Sequence, residues 1–377
     1  MKKILIIILC LLCLLGCSKK AIDNDKQEGS KKEESIVEEK EDKNIGLAKE
    51  KISTMSLEEK VGQMIFARLP QKNVESVINN YHIGGFILFG VDFKNKSKNQ
   101  VISEIRLYQE ASSIPLLLGV DEEGGTVVRI SSNPSLYPHR FLSPQEIYNQ
   151  EGIDGIIKDT NEKAKLLKEL GLNVNLAPVA DISNNPNDFI YNRSLGRDAE
   201  ETSEYIRQVV KTYNDNNIGC TLKHFPGYGN NVDTHTGIAI DKRDYNTFLE
   251  NDFLPFQAGI EENVPSILVS HNIINSMDNE KPASLSKKVH DILRNDLKYD
   301  GVIMTDDLAM DAITLYSDNP YIEAVLAGND LLITTDYQKT YEEIIKGVNN
   351  GTIDEELINA AVLRVLRWKY QLGLFEE

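Results

Sequence analysis

Gly301-Val302-Ile303-Met304-Thr305-Asp306-Asp307 carries the clearest signature of the architecture. Gly301–Met304 is hydrophobic throughout rather than alternating, which is how a strand buried on both faces reads. Two aspartates come almost at once after it. The same unit recurs along the chain. Gln63–Ala67, Gly85–Phe89, Leu116–Val120, Asn173–Ala177, Gly219–Leu222, Ser266–Val269 and Leu331–Ile333 are short apolar runs that end in polar residues or glycine. Helical patterns such as Gly155–Leu170 and Thr202–Asn216 lie between them. Repeated β-then-α units predict a parallel α/β fold, and eight of them predict a single (β/α)8 TIM-type barrel. A doubly wound sheet is the alternative that periodicity leaves open. The long interval between Asp121 and Asn173 is expected to hold extra helices or a lid.

The residues just past each run carry the chemistry. Val120 leads into Asp121-Glu122-Glu123-Gly124-Gly125, Leu222 into Lys223-His224, Val269 into Ser270-His271-Asn272, and Met304 into Thr305-Asp306-Asp307. In a barrel, strand C-termini converge on one mouth. Asp121 and Asp306 are then placed to grip hydroxyls or to act as a nucleophile. Asp233-Thr234-His235 lies on a loop flanked by Gly227, Gly229 and Gly237. A carboxylate beside an imidazole favours the imidazolium and orients the ring, which suits a general acid. On the residues alone, solvated loop side chains are an equally good reading of the same pattern.

The start of the chain is a secretion signal: Met1-Lys2-Lys3, an apolar run from Ile4 to Leu15, then Leu14-Leu15-Gly16-Cys17. The run is shorter than the ~20 residues a membrane span needs. Residues 1–16 read as the leader, and residues 17–51, rich in Lys, Glu and Asp, as a disordered polar tether. The catalytic body is expected over 52–377, with the amphipathic Asp354–Tyr370 near its end, as a single barrel. Of four cysteines only Cys220 falls in the body, so no internal disulfide is expected there and a buried, inert thiol is. A net charge of −17 argues against a nucleic-acid partner.

Five motifs in one order carry a family resemblance. Lys223-His224-Phe225-Pro226-Gly227-Tyr228-Gly229 with Asp233-Thr234-His235 closely resembles the signature of glycoside hydrolase family 3, in its β-N-acetylhexosaminidase branch. Val120–Gly125 with Val128-Arg129, Ala177–Asp181, Asn192–Gly196 and Val302–Met310 resemble the other four motifs. Leu-Leu-Gly-Cys resembles a bacterial lipoprotein box, which implies acylation of Cys17 and anchoring at the extracytoplasmic face of the cell membrane. Tyr228 stands where the family has histidine, Asn230-Asn231 where it has Asp-Thr, and Thr234 where it has serine.

The resemblance implies a retaining exo-β-N-acetylglucosaminidase acting on peptidoglycan-derived saccharides. Asp306 would be the nucleophile, His235 the acid/base and Asp233 its partner. Asp121, Arg129, Arg193, Lys223 and His224 would bind the terminal N-acetylglucosamine. No metal or organic cofactor is implied. Transfer of the sugar to phosphate instead of water is compatible with the same residues. Asp181 reads at least as well as a structural carboxylate, Asp307 as facing away from the sugar, and His271 as a candidate pocket-lining residue. His82, His139 and His290 read as surface or helix-cap residues. A family 3 β-glucosidase and a solute-binding lipoprotein are the competing classes. The loop carrying His235 argues against the first, and a nucleophile paired with a proton shuttle against the second.

Overall fold

The computed structural model describes residues 43–234 and 237–375. The leader, Cys17, most of the expected tether and His235 lie outside the described residues.

Eight parallel strands form one sheet. They are β1 (Ile65–Arg68), β2 (Gly85–Leu88), β3 (Leu117–Val120), β4 (Val174–Asn175), β5 (Gly219–Phe225), β7 (Ser266–Val269), β9 (Val302–Thr305) and β10 (Leu332–Thr334). The short β6 (Ile240–Asp241) and β8 (Ile273–Ile274) pair with each other outside it. The spatial order is β10-β1-β2-β3-β4-β5-β7-β9, and a parallel bridge between Met304 and Leu331 joins the two ends. The sheet is therefore a TIM-like barrel, not a doubly wound sheet. All eight apolar runs became strands because each is buried on both faces: Phe66, Ile87, Leu117, Leu268 and Met304 fill the interior, while Phe86, Leu118, Val120, Ile267 and Ile303 pack under the outer helices.

That alternation positions the site. Leu117, Leu268 and Met304 point inward. Side chains two or four residues further along their strands therefore face the same axis at the C-terminal mouth. Those residues are Asp121, Ser270 and Asp306. Lys223 shares the inward register of β5, since Cys220 and Leu222 belong to the outer layer.

The structure departs from expectation at several places. Residues 43–53 are helical, although composition predicts a tether as far as Lys51. Ala48 is fully buried there in a cluster with Val61, Val362 and Leu366, so a small apolar residue in a charged segment was the signal. Gln63 ends the helix Leu57–Gln63 instead of opening β1. It is buried because the Lys369 amine donates to its Oε1 at 2.6 Å and to Gly84 O at 2.8 Å. His290 is buried, not a surface residue, with its Nδ1 2.8 Å from Ser286 O. His82 does cap the helix Val74–Tyr81, and His139 is exposed.

The interval after Asp121 holds the helix Pro144–Leu170, which starts earlier than Gly155 and breaks at Gly152. Ser143 caps it, with Glu146 reciprocating in a capping box. Cys220 is fully buried, and burial raises its thiol pKa, which keeps it unreactive.

Candidate active site

The mouth is organised around one buried carboxylate to which the motif pattern assigns no role. Glu123, just past β3, receives the Arg193 guanidinium through two bonds, Nε to Oε2 at 3.0 Å and Nη2 to Oε1 at 2.8 Å. The Lys223 ammonium lies 2.6 Å from the same Oε1 and 2.8 Å from Asp121 Oδ1. Arg129 Nη2 reaches Asp121 Oδ2 at 3.5 Å. Burial works against the charge on Glu123, yet Arg193 and Lys223 together hold its carboxyl far below the usual range. Burial likewise opposes the charge on Lys223, and Asp121 and Glu123 overcome it and raise its pKa. Asp121, Lys223, Glu123 and Arg193 thus form one continuous charged network facing the mouth.

Neighbouring carboxylates set its geometry. Glu122 is fully buried and accepts from Arg129 N at 2.8 Å, Ile130 N at 2.7 Å and Ser131 Oγ at 2.5 Å. It fixes the turn that presents Arg129. Asp181 Oδ2 lies 2.7 Å from His224 Nδ1, and its Oδ1 accepts from Tyr228 N at 2.7 Å. Arg193 Nη2, which can only donate, faces His224 Nε2 at 3.2 Å. The network therefore puts the imidazole proton on Nδ1 and leaves Nε2 as acceptor. Asp181 is a positioning carboxylate, as its place after β4 suggested.

Asp306 lies just past β9, its amide donating to Val269 O at 3.0 Å and its Oδ1 accepting from Asp307 N at 2.8 Å. Asp307 instead turns its Oδ1 to Ala309 N at 3.0 Å. His271 is buried, with Nδ1 2.7 Å from Ser284 Oγ and Nε2 3.0 Å from Asp307 O. It braces the segment behind Asp306.

Tyr228 holds the segment that carries Asp233. Its hydroxyl lies 3.0 Å from Thr234 Oγ1 and accepts from Thr234 N at 3.0 Å. Burial pushes its pKa up to about 12, and the charges of Asp306 and Asp233 add to the rise. Two of the three departures from the family pattern, Tyr228 and Thr234, thus meet in one contact beside Asp233. Of the expected site residues, the structure brings Asp121, Arg129, Arg193, Lys223 and His224 into one cluster. Sequence reasoning misses Glu123, Glu122 and Tyr228, because the partners that give a buried polar group its role come from distant strands.

Residues 56–368 match the glycosyl hydrolase family 3 N terminal domain. A TIM-like barrel with this mouth and this match belongs to glycoside hydrolase family 3. Among relatives, the chain is 29% identical over 332 residues to the beta-hexosaminidase A of Pseudoalteromonas piscicida, covering 79% of this chain and 55% of that protein. It is 27% identical over 312 residues to the beta-hexosaminidase LpqI of Mycobacterium tuberculosis, covering 79% and 78% respectively. Among solved structures, a glycoside hydrolase family 3 beta-N-acetylglucosaminidase from a Paenibacillus species superposes with a TM-score of 0.78 at 27% identity, over 85% of this chain and 63% of that one. The chain thus spans little more than half of the first relative and under two thirds of the solved one.

Proposed function

We propose that this protein is a retaining exo-β-N-acetylglucosaminidase that removes terminal, non-reducing β-linked N-acetylglucosamine from peptidoglycan fragments. The observation that carries the reading is the Asp121–Lys223–Glu123–Arg193 network, set on the same barrel mouth as Asp306. Sugar hydroxyls are gripped best by charged donors and acceptors held in fixed positions, since charge-assisted hydrogen bonds are the strong ones. The names of the Pseudoalteromonas, Mycobacterium and Paenibacillus relatives support the sugar specificity.

In this reading Asp306 attacks the anomeric carbon while the protonated His235 gives its proton to the leaving oxygen. Neutral His235 then takes a proton from the water that hydrolyses the glycosyl–Asp306 ester, and Asp306 is released. The usual glycosidase pair is two carboxyls. Imidazole does the same work near neutrality without a large shift in pKa. Asp233 orients the ring.

The protein is lipid-anchored through Cys17 and works on wall material outside the membrane. Cys17→Ser should no longer incorporate labelled fatty acid, and labelling of the mutant would overturn the anchor. Turnover of a chromogenic N-acetyl-β-glucosaminide well above that of the matching β-glucoside, in buffers with and without phosphate, tests the activity. A preference for the glucoside would overturn the sugar assignment, and a sugar 1-phosphate product would replace hydrolysis with phosphorolysis.

A further inference from the structure

We infer that Arg243 is a positioning residue for proton transfer, because its single guanidinium ties together both ends of the loop that carries Asp233. The inference rests on the glycosidase reading. Arg243 Nη2 donates to Gly227 O at 2.9 Å, at the start of the loop. At the far end Arg243 Nε donates to Asp241 Oδ2 at 2.9 Å, and Nη2 to the same oxygen at 2.7 Å. Nη1 donates to both oxygens of Asp252, at 2.9 and 3.0 Å, and so fixes the clamp to the body behind it. The Phe248 ring covers the guanidinium at 4.3 Å.

The loop backbone packs straight onto this ion cluster. A Cβ at Gly227 would come within 2.2 Å of Asp252 Oδ1, and one at Gly229 within 2.5 Å of Arg243 Cζ. Asn231, in the middle of the loop, donates to Asp241 Oδ2 at 2.6 Å. Thr234 is held by Tyr228, whose own amide is held by Asp181. Asp233 therefore stands between two residues whose tethers lead back to Arg243 and to Asp181. Among the described residues, Arg243 makes no hydrogen bond to Asp121, Lys223, Arg193 or His224, so it acts on the loop and not on the sugar-binding network.

Only a planar fork with five donors can serve a carbonyl and two carboxylates at once, so lysine is a poor substitute. Freeing the loop ends shifts the proton-transfer groups that the loop bears, and a misplacement of about 1 Å costs ~10²-fold in rate. The nucleophile just past β9 and the network around Glu123 stay where they are.

The test uses the full chain with Arg243→Lys and Arg243→Met, after circular dichroism has shown that each folds; Arg243→Lys, which keeps the charge, carries the test if Arg243→Met does not fold. Two readouts are taken: hydrogen exchange of amides in 228–242, and rates on aryl N-acetyl-β-glucosaminides of graded leaving-group acidity. The expected result is faster exchange confined to the loop. Rates should fall ~10²-fold on poor leaving groups and several-fold less on activated ones, with KM little changed. Unchanged loop exchange, or a leaving-group dependence equal to wild type, overturns the inference. If wild type turns over none of these substrates, the glycosidase reading falls and takes the catalytic clause with it, while the exchange readout still decides the clamp.

Discussion

Arg193 and Glu123 face each other through two parallel hydrogen bonds of 3.0 and 2.8 Å, and the Glu123 side chain is almost fully buried. With Lys223 on the same carboxylate, one buried anion serves two cations that come from the loop after β4 and from β5. The arrangement presents Arg193 and Lys223 to the mouth without either having to be solvated. It also makes Glu123 the most vulnerable residue of the site.

Glu123→Gln should lower stability by about 3–5 kcal/mol, because removing one partner leaves buried charge uncompensated. Activity should fall with it. The sign with pH is set by the depressed carboxyl. Its stabilisation is present above the ordinary value of 4.5 and is lost as pH falls below it towards the folded-state value. The stability gap between wild type and Glu123→Gln, measured by denaturant unfolding, should therefore shrink on acidification below that point. A gap that grows in acid would show that Glu123 does not carry its charge in the fold.

Asp306→Ala should leave the melting curve close to wild type and reduce turnover by at least ~10³-fold, since the proposed covalent route would be closed. Azide should restore activity on activated substrates and yield the azide of inverted configuration. Near-normal hydrolysis by a folded Asp306→Ala protein removes this residue from the mechanism.

A residue that must be protonated in one step and neutral in the next gives a bell-shaped pH dependence. His235→Ala should flatten the bell and slow poor leaving groups most. Asp233→Ala should do the same more mildly. Pre-steady-state glycosylation across graded aryl leaving groups measures this. An equal loss for every leaving group would remove His235 as the proton donor.

Asp252 titrates in an unusual direction for an aspartate facing an arginine. Burial pushes it up to about 6, and Arg243, already shared with Asp241, offsets this only in part. The unfolded chain releases this proton near the ordinary 3.8, whereas the fold keeps it to about 6. Folding thus binds a proton in that window, and the Asp252 contribution to stability declines as pH rises from 3.8 to about 6, then levels off. At ~1.36 kcal/mol per pKa unit the whole change is of order 3 kcal/mol. Relative to Asp252→Asn, wild type should lose stability across that interval. A carboxyl resonance titrating near 6 in wild type and absent from the variant would assign it. A flat difference between the two proteins contradicts the raised value.

The parallel α/β sheet was legible in the amino-acid order, and the Met304–Leu331 bridge decided that it closes into a barrel. Eight short runs, most of them apolar throughout and each ending in polar residues or glycine, suit strands covered on both faces. The polar ends then must gather where the strands end. Asp121, Lys223, His224 and Asp306 were readable for that reason, because strand register is local and repeats every two residues. Which charge pairs with which came from packing alone. Glu123 has its cations 70 and 100 residues further along the chain, at Arg193 and Lys223. The helix through Ala48 was hidden by its charged composition, since one buried apolar face outweighs many solvated neighbours only once there is a surface to bury it against. Periodicity reports what a segment needs to hide. It does not report what a buried charge finds when it gets there, because that partner is set by packing between segments far apart in the chain.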